Sequence, residues 1–155
     1  MSINYKKKVS RDETFGLLYE NLLQDYFDEH LELHGKIIKT KNKFNVVDYI
    51  NDEWVCELKS RRYSIHSFHS FMIGANKMRE AEKAYKQENH KKYRFYFTLK
   101  EGVFYWDFTP WPEDDSDLQY YYGMGGRCDR GKDERKECAY IFAEDLKLLT
   151  DEIHT

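Results

Sequence analysis

The sequence predicts an α/β fold in which a mixed central sheet of about five strands is flanked by helices. Three observations support this prediction: an amphipathic helical pattern near the start of the chain, two apolar runs joined by a tight turn, and a second helical pattern followed by two aromatic-rich runs. In chain order, these segments predict one helix, three strands, a second helix and two strands. We expect one domain over residues 1–155, with a core at about 10–108 and a C-terminal extension at about 109–155, because no linker-like or repeated segment divides the chain.

The first helix is expected from about Ser10 to His30. Ser10 and Glu13 form a capping-box pattern at its start. Glu20 stands one turn after Gly16, whose missing side chain leaves room for a close approach to the sheet. From periodicity alone, a solvated glutamate on the polar face is the more frequent interpretation of Glu20. Apolar residues at helical spacing predict the buried stripe: Phe15, Leu18, Tyr19, Leu22, Leu23 and Tyr26.

Three strands are expected between the helices. A lysine-rich strand within 35–43 precedes two apolar strands within 44–59, which are joined by a turn centred at 51–52. An antiparallel hairpin with this centre sets two pairs of residues opposite each other: Asp48 with Val55, and Val46 with Glu57.

Asp48, Glu57 and Lys59 are expected to share one face of this hairpin. Opposed residues share a face, as do residues two apart on a strand, so the Cβ atoms of Asp48 and Glu57 should lie roughly 5.5 to 8 Å apart. Apolar residues on both faces indicate a central hairpin. Two buried carboxylates beside one lysine leave an excess of negative charge, which a bound metal ion would neutralise. The alternative interpretation is a structural salt bridge between Lys59 and either carboxylate.

These residues resemble the PD-(D/E)XK nucleases of the restriction-endonuclease-like fold. The pattern of that superfamily is an acidic residue on a first helix, an Asp on the second strand and Glu-x-Lys on the third. The matching residues here are Glu20, Asp48 and Glu57-Leu58-Lys59, while Val47 stands where the motif has a proline. The resemblance covers about residues 10–108 and depends more on the order of elements than on the short, degenerate motif. Small junction-resolving or structure-selective endonucleases of phages and archaea are the most similar members.

The resemblance implies metal-assisted hydrolysis of phosphodiesters. Asp48, Glu57 and the backbone carbonyl of Leu58 would hold one or two Mg²⁺ or Mn²⁺ ions, with Glu20 as an outer ligand. Lys59 would orient the attacking water or stabilise negative charge on the phosphoryl oxygens. The expected catalytic residues are therefore Glu20, Asp48, Glu57 and Lys59.

Arg61, Arg62 and Lys77 are the candidate nucleic-acid contacts. The two arginines follow the Glu-x-Lys strand, and the lysine belongs to the polar side of the second helix, which is most often a solvated surface. DNA is the expected substrate, whether branched, duplex or single-stranded, and RNA stays open. The resembled resolving enzymes act as dimers, which leaves a homodimer open as well.

The second helix is expected from about Ser64 to near Asn89, and aromatic-rich strands are expected over 93–99 and 103–108 with a turn between them. The C-terminal part is harder to interpret. It is expected to contain three segments: a mobile, glycine- and charge-rich loop over 120–136, a short strand over 139–142 and a closing helical turn over 144–149.

Composition limits the function classes. We expect no signal peptide and no membrane-spanning segment, because the given sequence contains no apolar run long enough for either, and its three cysteines lack a Cys-x-x-Cys pattern. We therefore expect a reducing compartment, cytoplasmic or in the interior of a host cell, with no membrane partner and no structural zinc site.

Charge is distributed unevenly along the chain. The formal net charge is −3, and removal of four clustered acidic residues changes the remainder from −3 to +1: Glu113, Asp114, Asp115 and Asp117. Basic clusters elsewhere can therefore contact phosphates. The thirteen tyrosines suit stacking of unpaired bases, although core and hairpin packing is their more frequent use.

Two further function classes stay open. One is a catalytically inactive nucleic-acid-binding or protein-interaction module with the same fold. The other is a virus- or phage-encoded protein whose Tyr- and Gly-rich C-terminal segment binds a host partner.

Overall fold

A computed structural model of the chain describes residues 2–31, 38–39, 49–87, 91–114, 116–125 and 136–155, with side chains from Thr14 onward except at 38–39. Asp48 and Val46 lie outside the described residues. The elements in chain order are α1 (Ser2–Glu29), β1 (Ile38–Lys39), β2 (Tyr49–Ile50), β3 (Trp54–Ser60), β4 (Ser70–Gly74), α2 (Ala75–Tyr85), β5 (Lys92–Leu99), β6 (Gly102–Asp107), β7 (Tyr120–Gly125), β8 (Lys136–Phe142), a 3₁₀ turn (Ala143–Asp145) and β9 (Lys147–Thr150).

The main sheet is mixed, as predicted. Within the described chain its strand order is β1-β2-β3-β5-β6-β9. Strands β1, β2 and β3 are antiparallel neighbours, whereas β3 and β5 run parallel from the pair Trp54–Lys92 to the pair Ser60–Thr98. The helix α2 lies in the crossover that such a parallel pair requires. The first five strands of this sheet follow the predicted order, and β9 adds a further edge strand where a helical turn was predicted.

A second, three-stranded antiparallel sheet has the order β4-β8-β7. The predicted strand over 139–142 is part of β8, but the predicted loop over 120–136 is wrong for its first residues, which form β7. This strand is attached to α2, because the hydroxyls of Tyr120 and Tyr122 each donate to the Glu82 carboxylate at 2.6 Å. Residues 126–135 lie outside the described part of the chain.

The main sheet is covered on both faces, as the apolar pattern of the hairpin predicted. On one face, α1 packs Leu23 and Phe27 against Tyr49, Cys56 and Leu58. The other face packs against α2 and the small sheet, and its cluster includes Phe71, Met78, Phe95, Trp106, Tyr120 and Ile141. Residues of the predicted core and of the predicted C-terminal extension therefore share one apolar cluster.

The predicted start of α1 is wrong. The helix begins at Ser2, so Ser10 lies inside it and does not cap it. The buried stripe is also displaced toward the end of the helix: Leu23 and Phe27 are fully buried, while Leu18 is 51% exposed. Among the described residues, no helix is both long enough and apolar enough to cross a membrane.

The predicted helix from Ser64 to Asn89 is only partly correct. The helix covers 75–85, and residues 70–74 form β4 instead. Phe71 and Ile73 are both buried, two residues apart, which is the periodicity of a strand. Phe71 fits both the predicted helical pattern and this strand pattern. The segment forms a strand because β4 pairs with β8.

Candidate functional site

Glu57 is a buried carboxylate in the middle of the main sheet. It lies on β3, and only 7% of the residue is exposed. Alternation along the strand directs Val55, Glu57 and Lys59 toward α2, while Cys56 and Leu58 pack against α1. The predicted convergence of Glu57 and Lys59 on one face is therefore present.

Two lysines hold the Glu57 carboxylate. The Lys59 Nζ lies 3.3 Å from Oε1, and the Lys77 Nζ lies 3.3 Å from Oε2. The side chains of Lys59 and Lys77 are 31% and 21% exposed, against 9% for Glu57. Each carboxylate oxygen thus has its own ammonium group, and both ammonium groups remain in reach of solvent.

Helical periodicity predicts Lys77 on the polar surface of the second helix, as a nucleic-acid contact. The structure turns it from the start of α2 toward β3 instead, and its contact with nucleic acid stays a prediction. The signal that points to it is the crossover: a helix that joins parallel neighbours packs on the sheet, and Lys77 stands between the buried residues Ala75 and Met78.

Lys77 changes the charge balance expected at this site. The prediction sets two carboxylates, Asp48 and Glu57, against Lys59 alone, and Lys77 supplies a second positive charge. The burial of Glu57 therefore does not by itself require a bound cation. Among the described residues, no group of three His, Cys, Asp or Glu side chains is placed to hold a metal ion. Of the predicted metal ligands on this face, the described part contains Glu57 and the backbone carbonyl of Leu58, and the Glu80 carboxylate lines the same cleft.

The hairpin register differs from the prediction by two residues. Val55 pairs with Ile50 instead of Asp48, and Cys56 pairs with Tyr49. Asn51 explains the difference, because its side-chain oxygen accepts hydrogen bonds from the backbone N–H groups of Glu53 and Trp54 at 2.9 and 2.7 Å. The turn is therefore centred one residue later than predicted.

Glu20 belongs to a helix on the opposite face of the sheet from the Glu57 carboxylate. The backbone carbonyl of Glu20 accepts a hydrogen bond of 2.5 Å from the Tyr49 hydroxyl, on the face that α1 covers. The close approach expected at Gly16 is wrong, because a Cβ built there meets no described atom within 4 Å. The role of Glu20 stays a prediction.

The two arginines after β3 have different surroundings. The Arg61 backbone N–H extends the pairing with β5 by donating to Thr98 at 2.9 Å, and its guanidinium donates to the Ser60 carbonyl at 3.0 Å. The Arg62 guanidinium lies over the Phe15 ring, 3.9 Å from its centroid, and so joins this segment to α1. Both arginines lie within a few residues of Lys59 at the same end of β3.

A cleft of about 170 Å³ opens between β3, β5 and α2. We call it the Glu57 cleft. It is lined by Glu57 and Lys77 together with Asn76, Glu80 and Tyr93. Burial and the nearby Glu80 carboxylate both raise the pKa of the Tyr93 phenol, which keeps this hydroxyl neutral beside the site. The lining of this cleft thus combines the Lys77 ammonium group and a neutral phenol with two carboxylates, Glu57 and Glu80. Lys59, the other partner of Glu57, lies two residues further along β3.

Comparisons with protein-family models, with curated proteins and with solved structures give no match for this chain. The interpretation of the site therefore rests on its own residues and their geometry.

Proposed function

We propose that this chain is a metal-dependent nuclease that hydrolyses phosphodiester bonds of DNA, with Glu57 and Lys59 in its active site. The observation that supports this most is the location of Glu57-Leu58-Lys59 on β3, in the middle of a mixed sheet and beside its parallel partner β5. Apart from β4, the elements from α1 to β6 are similar in order to those of the restriction-endonuclease-like fold: a helix, three antiparallel strands, a crossover helix and an antiparallel strand pair. The Glu57-Leu58-Lys59 motif resembles the motif of the same superfamily. Catalysis is determined by the residues of a site and not by the fold alone. The proposed activity therefore depends on Glu57 and the two lysines beside it.

Lys59 and Lys77 give the site its electrostatic function. Both ammonium groups lie beside Glu57 and remain partly exposed, so they attract a phosphodiester and stabilise negative charge that develops on its phosphoryl oxygens. Glu57 and the Leu58 carbonyl, with the predicted Asp48, are the residues that would hold Mg²⁺ or Mn²⁺, while Glu20 belongs to the helix on the other face of the sheet. A bound cation of this kind supplies Lewis-acid polarisation and a water of lowered pKa.

Cleavage assays test the proposal. Fluorescent single-stranded, duplex and four-way-junction DNA, and RNA, are incubated with Mg²⁺ or Mn²⁺ and with wild type, Lys59→Ala or Glu57→Gln. We expect cleavage by wild type and a loss of about 100-fold or more in each variant. Lys83→Ala is the matched control, because Lys83 is exposed on the same helix as Lys77. Cleavage that persists in Lys59→Ala and Glu57→Gln would overturn the proposed active site.

A second candidate is a nucleic-acid-binding module without catalysis. The ion network favours it, since two lysines already balance Glu57 without a metal ion. Thermal unfolding with Mn²⁺ separates the two candidates. A nuclease gains about 2.7 kcal/mol of stability at 100 times the dissociation constant, and Glu57→Gln removes most of that gain. An inactive module binds nucleic acid, cleaves none of the four substrates and shows no Mn²⁺-dependent stabilisation.

A further inference from the structure

A larger cleft lies beside the Glu57 cleft. It has a volume of about 330 Å³ and opens where α2 ends and where β3 and β5 begin. Four aromatic side chains line it, Trp54, Tyr85, Tyr93 and Phe108, and we call it the aromatic cleft. Tyr93 lines both clefts, so they are direct neighbours along one side of the sheet.

The aromatic walls are held in place by the fold. Phe108 continues the pairing of β6, with its backbone N–H donating to the Tyr93 carbonyl at 2.9 Å. The ring of Tyr85 meets the ring of Phe108 edge to face at a centroid distance of 5.7 Å. Tyr85 is nevertheless 48% exposed, so part of its ring is open to a ligand. Rings of this kind form a ready surface for a flat, unsaturated group.

Lysines supply the charge at the same cleft. Lys91 and Lys92 both line it, and Lys92 is exposed at the first position of β5. The one carboxylate in the lining is Asp107, which is bound to the Arg94 guanidinium through contacts of 2.5 and 3.1 Å. The charges left to interact with a ligand are therefore positive. Aromatic walls with cations at the rim match a nucleobase that is attached to a phosphate.

We propose that the aromatic cleft binds one unpaired base of a single-stranded segment while Lys91 and Lys92 contact its phosphate. This inference rests on the proposed function and extends it to the substrate class. Glu57 and Trp54, which also lines the aromatic cleft, are three residues apart on β3, a separation of about 10 Å. A base bound in the aromatic cleft is therefore within a few nucleotides of a phosphate at Glu57. A fully paired strand does not present such a base.

Equilibrium binding in EDTA tests the inference without cleavage. The probes are a fluorescein-labelled 12-nucleotide single strand, the same strand as a duplex, and a strand of the same length built from abasic nucleotides. Wild type should prefer the single strand. Tyr85→Ala should weaken single-strand binding about 5- to 150-fold, which is the range for one stacked base. The same variant should leave duplex and abasic binding within about twofold. Tyr85→Phe, which keeps the ring, should bind like wild type.

Matched controls separate this cleft from other surfaces. Tyr121→Ala changes a tyrosine of similar exposure, 39%, on the small sheet, and Lys100→Gln changes an exposed lysine at the turn between β5 and β6. Neither should change single-strand binding by more than about twofold. Lys92→Gln should weaken single-strand binding and reduce its salt slope by about one. Thermal unfolding verifies that each variant is folded, and Tyr85→Leu replaces Tyr85→Ala if the latter is unfolded.

Three outcomes would overturn the inference: no preference of wild type for the single strand, an equal effect of Tyr85→Ala on the abasic strand, or loss of binding in Tyr121→Ala instead. Failure of the nuclease proposal looks different. In that case, single-strand binding still depends on Tyr85 in EDTA, but wild type cleaves none of the substrates when Mg²⁺ or Mn²⁺ is added.

Discussion

Replacement of Lys77 by methionine removes one of the two ammonium groups that hold Glu57, and we expect it to destabilise the protein. At an effective dielectric constant of about 20, two unit charges separated by the observed 3.3 Å attract by about 5 kcal/mol. Most of this attraction offsets the desolvation of the two groups, and a charge-assisted hydrogen bond contributes about 1.5–3 kcal/mol net. Since 21% of the Lys77 side chain stays exposed, screening by solvent lowers the expected loss to about 1–2 kcal/mol.

Urea unfolding of a double-mutant cycle measures this contribution. The four proteins are wild type, Lys77→Met, Glu57→Gln and the double variant. The two side chains are in contact, so their effects should not add, and we expect a coupling energy of about 1–2 kcal/mol. Lys83→Met is the matched control, because it removes an exposed lysine from the same helix and should change stability by less than about 0.5 kcal/mol.

A coupling energy below about 0.5 kcal/mol would refute the reasoning, as would equal stability of Lys77→Met and Lys83→Met. Either result would mean that Lys77 does not stabilise the buried carboxylate.

Four further predictions concern the scaffold. Gly102 has a φ of 151°, and an added Cβ would lie 2.4 Å from the Thr150 carbonyl oxygen, so Gly102→Ala should lower the unfolding free energy by about 2 kcal/mol or more. Gly16→Ala, at an open helical position, should raise the unfolding free energy by about 0.5–1 kcal/mol. Urea unfolding measures both variants, and a change of the same sign in Gly102→Ala and Gly16→Ala would contradict these two predictions. Arg94 binds Asp107 through two nitrogens and lies 4.4 Å from the ring centroids of both Trp54 and Tyr105; Arg94→Lys should therefore cost about 1–2 kcal/mol in thermal unfolding, and an unchanged melting temperature would contradict this. Burial, and then hydrogen bonding to Glu82, raise the phenol pKa values of Tyr120 and Tyr122, so the stability that they contribute is complete below the usual tyrosine pKa of about 10 and is lost as pH rises above it. Unfolding at pH 9 to 11 should therefore show a steeper loss in wild type than in Tyr120→Phe/Tyr122→Phe, and parallel curves would count against the hydrogen-bonded pair.

Local sequence patterns were sufficient for the first five strands of the main sheet, although not for its edge strand β9. Alternation of apolar and charged residues along β3 depends on the backbone of one strand, so the shared face of Glu57 and Lys59 followed from their spacing alone. The apolar residues on both sides of this strand likewise indicated that the sheet is covered twice. The register between β2 and β3 was not predicted correctly. The Asn51 side chain shifts the turn through its hydrogen bonds, and the alternation of apolar and charged residues contains no information about those bonds.

The failed helix prediction has a different cause. Residues 70–74 satisfy a helical and a strand pattern about equally, and they become β4 because β8 supplies a partner strand about seventy residues later. Glu82 likewise occupies a polar helix position in the sequence, yet it accepts two hydrogen bonds from β7. Propensity within a short window contains no information about such partners.

Features that depend on neighbours a few residues apart, such as the strands, the covered sheet and the Glu57-x-Lys59 pair, follow from the chain alone. The complete surroundings of Glu57 do not, because Lys77 is 20 residues away and reaches the carboxylate only through the crossover between β3 and β5. The aromatic cleft is likewise assembled from α2, β5 and the end of β6. Contacts of this range are set by the packing of whole elements, since only the assembled sheet determines which distant side chains meet on one face.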